Sequence, residues 1–210
     1  MIRIFLLLIM LLPAAAHASD LVARVQGVYQ KNSKFQADFV QKTHIALLEK
    51  DIEEPGNMIF SKPGNFMIHY RGKQERKYIC NGATLWIYHP KEQEAEVYPD
   101  IQNLLTHEAL AFLGGLGQMT KEFQVRVEAG GWLSLVPRNK SSPFMKIRLR
   151  ADPVSYFAQE IVLYPRAGNE SHYQFSDIRT NPELGFQFNF VPPAGVAVSH
   201  PSGGLNGSTP

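Results

Sequence analysis

Outside its first eighteen residues the chain carries six histidines, one cysteine and a glutamate pair, and their spacing decides what chemistry is open to it. His44, His69, His89, His107, His172 and His200 stand far apart. None has a second histidine at the H-x-x-x-H spacing that would offer two imidazoles to one metal ion. Cys80 lies in the apolar run Tyr78-Ile79-Cys80 with no base beside it, so it reads as a buried structural thiol. No G-x-S-x-G elbow is present for a hydrolytic serine. Gly114-Gly115-Leu116-Gly117 follows a helical segment where a nucleotide loop would open one, so it reads as a helix stop. Glu53-Glu54 precedes Pro55-Gly56 and reads as a solvated loop. Asn169-Glu170-Ser171 fits a glycosylation sequon, a pattern common by chance. These residues point away from an enzyme, a metal site or a bound cofactor and leave binding as the function to explain.

The first eighteen residues belong to export. Arg3 is a positive start, Ile4 to Leu12 an apolar core, and Ala16-His17-Ala18 a small-x-small cleavage site. The run is too short to span a membrane and reads as a cleaved signal peptide, residues 1–18. One domain is expected over residues 19–200, with a flexible Gly/Ser/Pro tail at 201–210. A single cysteine excludes an internal disulfide, so the exported domain must rely on a hydrophobic core, which this length can supply. The net charge of +2 with no basic stripe argues against nucleic acid as a partner.

Leu21, Val25, Val28 and Tyr29 fall at helical spacing, and Ser19-Asp20 can cap a helix running to about Ser33. The period then becomes two. Phe35, Ala37 and Phe39 share one face of a strand. Short strands follow: Met58 and Phe60 in phase between turns at Glu54-Pro55-Gly56 and Pro63-Gly64, then Phe66, Ile68 and Tyr70, then two strands around Asn81-Gly82. "EAEVYP" closes this run. After the segment Asn103–Leu113, strands resume in "FQVRVEA", "WLSLVP", "FMKIRLR", "QEIVLYP", "SHYQFSDI" and "FQFNFVP". In "FMKIRLR", Met145, Ile147 and Leu149 form the dry face; Gly168-Asn169 marks a hairpin. About eleven strands with two or three helices predict one curved antiparallel sheet, an unclosed barrel with helices as its lid.

Ala109-Leu110-Ala111-Phe112-Leu113 is apolar on every side, unlike a surface helix with one greasy stripe. A wide apolar sheet under such a helix encloses a pocket if the two do not pack solid. Such a pocket binds by apolar burial.

Three patterns in order now carry a resemblance: "FQADFVQKT" after a first helix, "GNMIFSKPGNFMIHY" and "ICNGATLWIYHP". With "LSLVPR" and "FQFNFVPPAGV" they make the chain resemble the outer-membrane lipoprotein carrier family, LolA, from Leu21 to about Val198. The resemblance implies the unclosed barrel with its helical lid. It implies a periplasmic, soluble carrier, expected as a monomer, that takes acylated lipoproteins from an inner-membrane ABC transporter to an outer-membrane acceptor without covalent chemistry. Phe39, Phe66, Ile68, Tyr70, Trp86 and Tyr88 are the expected acyl-chain cavity, and Leu104, Leu105, Ala109, Phe112 and Leu113 the expected lid. Lys62-Pro63 stands where the family often has Arg-Pro, the arginine that sets lid closure; lysine keeps the charge but loses the planar fork of donors. Carriage of another lipid, such as a glycolipid, or a lipid-sensing interaction module are the alternatives.

Overall fold

The computed structural model describes residues 14–101, 119–185 and 187–201, without the side chains of residues 14–19 and 46. The expected lid, with Leu104, Leu105, Ala109, Phe112 and Leu113, and the glycines after it lie outside the described residues. The chain opens with α1 (Ala14–Lys31) and runs through β1 (Lys34–Ile45), β2 (Lys50–Ser61), β3 (Asn65–Tyr70), β4 (Arg76–Asn81), β5 (Leu85–His89) and β6 (Glu94–Tyr98). A one-turn helix α2 (Met119–Glu122) leads into β7 (Phe123–Val127), β8 (Trp132–Pro137), β9 (Phe144–Ala151), β10 (Ala158–Pro165) and β11 (Glu170–Thr180). The short β12 (Ala197–Ser199) comes last.

All twelve strands form one sheet in the order β12-β6-β5-β4-β3-β2-β1-β11-β10-β9-β8-β7. Its two end strands, β12 and β7, do not pair, so the sheet is unclosed, as the sequence predicts. Neighbours are antiparallel except β12, which runs parallel to β6. The Asn81-Gly82 hairpin forms as expected: Gly82 takes φ 86°, and the Asn81 side chain accepts hydrogen bonds from the Ala83 and Thr84 amides.

Several local expectations are corrected. The first helix begins at Ala14, upstream of Ser19-Asp20, and ends at Lys31. Glu54-Pro55-Gly56 is not a turn but lies inside β2. The Pro55 carbonyl accepts from the Arg71 amide, so its imino nitrogen faces the same side, just beyond the end of β3, where no donor is missed. Glu54 is therefore a strand residue, not a solvated loop residue. "FQFNFVP" is also corrected: its described residues, 187–192, are not strand, and the final strand is Ala197–Ser199 instead. Met145, expected on the dry face of β9, is 53% exposed, while Ile147 and Leu149 beside it are fully buried.

One face of the sheet, the inner face, is covered by α1 over β7 to β11. Val25 and Tyr29 pack there with Phe123, Leu133, Leu135, Ile147, Leu149, Phe157 and Ile161. A second apolar cluster on the same face joins Phe60, Phe66, Cys80, Leu85, Ile87, Tyr98 and Ile101. Phe35 packs against both, stacking on Phe60 at 4.8 Å between ring centroids and meeting Tyr29 edge-on at 5.6 Å. The core is thus continuous across the sheet, with Phe35 as the joint.

Candidate functional site

Directly paired residues of antiparallel strands point to the same face, so the registers lay out the inner face row by row. One row is Phe35, Phe60, Phe66, Cys80 and Leu85. The next, two residues further along each strand, is Ala37, Met58, Ile68, Tyr78 and Ile87. The third is Phe39, Gly56, Tyr70 and Arg76. The fourth pairs Gln41 with Glu54 on one side and Tyr173 on the other. Phe60, Phe66 and Cys80 are buried, whereas Phe35, Met58, Ile68 and Tyr78 are only partly covered. Those four are apolar surface facing inward beside the core.

Of the expected cavity residues, the structure brings Phe39, Phe66, Ile68 and Tyr70 to this face. It does not bring Trp86 and Tyr88 there. Leu85 pairs with Cys80 and Ile87 with Tyr78, so Leu85 and Ile87 face inward and the intervening Trp86 and Tyr88 face outward. Trp86 and Tyr88 pack instead on Phe190, at 5.5 and 5.1 Å between ring centroids. Leu85-Trp86-Ile87-Tyr88 is apolar at every position, so size alone does not reveal its face; the register does.

The third and fourth rows end the apolar surface. Phe39 is 2% exposed, and its ring lies over Gly56, where an added Cβ would sit 2.3 Å from it. Tyr70 meets Phe39 edge-on at 5.2 Å, donates a hydrogen bond to Gln41 Oε1 at 2.6 Å and lies 3.4 Å from the Tyr173 hydroxyl. Gln41 Nε2 donates to Thr43 and Ser171 hydroxyls at 2.9 and 3.3 Å. Arg76, 8% exposed, forks onto Glu54 at 2.6 and 2.9 Å and stacks on the Tyr70 ring at 3.9 Å. This polar belt crosses five neighbouring strands, β4, β3, β2, β1 and β11. Burial opposes the charge on Arg76, but the Glu54 hydrogen bond, the Tyr78 hydroxyl and the Glu54 charge together outweigh it and hold the guanidinium above its ordinary pKa. Burial pushes the Tyr70 hydroxyl up, helped by Tyr173, and lifts Tyr173 itself to about 12. Both phenols stay neutral and free to hydrogen-bond. Removing one partner of such a buried pair costs about 3–5 kcal/mol, against about 0.8 kcal/mol for each methylene moved out of water.

The signal for the belt was present in the sequence. Gln41 continues the inward phase of Phe35, Ala37 and Phe39, and a polar side chain at a core phase requires a partner. The partners, Glu54, Tyr70, Arg76 and Tyr173, come from four other strands, which no local pattern links.

Lys62 follows β2 and reaches α1. Its ammonium donates to the Tyr29 carbonyl and, at 3.2 Å, to that of Gln30. These carbonyls lie in the last turn of α1, where a cation is favourable. Partial burial lowers the Lys62 pKa. Three histidines pair with carboxylates: His44 with Asp51 at 2.8 Å on the surface, and His69 with Glu75 at 2.9 Å and His172 with Glu160 at 2.8 Å in partly buried positions. Cys80 is buried, and burial raises its pKa. Among the described residues no group of three His, Cys, Asp or Glu side chains is placed to hold a metal ion.

Comparison with known proteins agrees with this geometry. An outer-membrane lipoprotein carrier protein of Pseudomonas aeruginosa is 28% identical over 191 residues, covering 87% of this chain and 90% of the relative. One of Nitrosomonas europaea is 28% identical over 204 residues, covering 93% and 96%. An uncharacterized conserved protein of Thermus thermophilus has a similar fold at 11% identity, with a TM-score of 0.53 over 87% of this chain and 98% of that one. The model of the outer membrane lipoprotein carrier protein LolA family matches residues 30–190, and the chain belongs to that family.

Proposed function

We propose that this protein is a periplasmic carrier that shields the acyl chains of lipoproteins against the inner face of its unclosed sheet. In this reading it receives them from an inner-membrane ABC transporter and delivers them to an acceptor at the outer membrane. One observation carries it. Beside a completed core, Phe35, Met58, Ile68 and Tyr78 present partly uncovered apolar surface on the concealed face of a sheet that stays open. A protein folding only for stability gains by covering such surface; one that must take up and release hydrocarbon needs it. Family membership and the names of the relatives support lipoproteins as cargo. The segment holding Leu104, Leu105, Ala109, Phe112 and Leu113 is the proposed lid, and Lys62, which holds the C-terminal turn of α1, is proposed to act in its closure.

The test is native mass spectrometry with lipid extraction on protein purified gently from the periplasm. A bound lipoprotein or diacyl lipid is expected. Ile68→Asp and Met58→Asp are expected to keep the fold and lose the lipid. Glycolipid as the extracted species would redirect the proposal to another cargo. Lipid-free protein that also fails to take up a fluorescent acyl probe would overturn it.

A further inference from the structure

The inner face is apolar in two rows and then changes character, and that boundary bears on cargo. The belt of Gln41, Glu54, Tyr70, Arg76 and Tyr173 has its hydrogen bonds made within the protein. Hydrocarbon pressed against it gains nothing from polar atoms and must break their bonds to pass. No route runs beneath, because the Phe39 ring closes the space over Gly56 down to van der Waals contact. Beyond the belt the inward positions are again hydroxyls, Thr43 and Ser171, bonded to Gln41.

We propose that this belt is an end-stop for hydrocarbon, so that the protein selects its cargo by acyl-chain length. A chain lying on the face runs past Phe35, Met58 and Ile68 and ends against Tyr70, Gln41 and the Arg76–Glu54 pair. The proposal rests on the acyl-chain reading above and adds to it a limit on length. Polar end-groups inside an apolar face are costly to keep unless fully partnered, and here the partnering runs across five strands to one side of the apolar rows.

Isothermal titration of the purified protein with saturated fatty acids of eight to sixteen carbons tests it. The expected affinity rises about fourfold per added carbon, then stops rising at a break length. In the double variant E54L/R76L the break is expected to move to longer chains, by up to about five carbons, since one row of strand side chains is about 7 Å deep and each carbon advances an extended chain by about 1.3 Å. The variant Q41L/Y70F converts the other half of the belt while leaving the ion pair in place. It is expected to move the break in the same direction, and it decides the matter if E54L/R76L does not fold. An affinity that keeps rising without a break in the wild type overturns the end-stop, as does an unchanged break in a variant with native circular dichroism. Absence of binding at every length overturns the acyl-chain reading itself, so the two failures are distinct.

Discussion

Gly56 has no side chain because Phe39 occupies the space one would fill. A Cβ there would meet the Phe39 ring at 2.3 and 2.7 Å and the His69 carbonyl at 2.6 Å. The ring cannot yield without leaving Tyr70, and the carbonyl belongs to β3. Gly56→Ala is therefore expected to destabilise the protein by about 1–3 kcal/mol, measured as a fall in the urea midpoint. Arg76 and Glu54 make a second residue-level case. Arg76→Leu alone strands a carboxylate that is 12% exposed and should cost about 3–5 kcal/mol. E54L/R76L, which removes both charges, should be markedly less harmful than the single change. Equal losses in the single and double variants would show that the pair acts through packing and not through its charges.

At the scale of elements, α1 and β2 are tied by one lysine. Lys62 follows the end of β2 and donates to the carbonyls of Tyr29 and Gln30 at the C-terminal turn of α1. Because Lys62 is largely exposed, this contact is worth a modest amount. Lys62→Leu is expected to lower stability by about 0.3–1 kcal/mol, an effect that salt weakens. In the proposed carrier the same change frees the end of α1 and should slow cargo release in a transfer assay. Unchanged release would remove Lys62 from the mechanism while leaving its capping role intact. The long hairpin of β1 and β2 works differently. It supplies the first two members of each apolar row, Phe35 with Phe60 and Ala37 with Met58, and two of the five belt residues, Gln41 and Glu54.

Across the whole molecule, stability depends on phenols that fold away from water. Burial raises Tyr29 to about 12, offset in part by the Ala158 amide that donates to its hydroxyl at 3.1 Å. Tyr173 is raised to about 12 by burial as well. The ordinary phenol pKa is about 10. Above that pH the unfolded chain loses these protons while the folded chain keeps them, so stability falls. The contribution is fully present below pH 10 and is lost as pH rises toward 12, by about 1.4 kcal/mol per pH unit for each such tyrosine. Thermal melts from pH 9 to pH 12 should show this decline, and Tyr29→Phe should flatten it. No helix among the described residues is long and apolar enough to cross a membrane. The protein is a binding protein of the LolA family and not an enzyme.

Much of the architecture was legible in the sequence, because side-chain period is a local property. Alternation at Phe35, Ala37 and Phe39 and at Phe66, Ile68 and Tyr70 marks strands whatever they pair with. Asn81-Gly82 fixes a hairpin through backbone angles alone. Val25 and Tyr29 mark the buried stripe of α1. The antiparallel sheet and the helix packed on it follow from such signals. Tertiary structure decided what depends on partners distant in the chain. It set Trp86 and Tyr88 outward, because register with β4 and not side-chain size assigns a face. It kept Pro55 inside a strand, because β3 ends where the missing amide would have been needed. It gathered Gln41, Glu54, Tyr70, Arg76 and Tyr173 from five strands into one belt. A polar side chain at an inward phase states only that it needs a partner. Which partner it finds is decided by strand order and register, and these exist only once the sheet has formed.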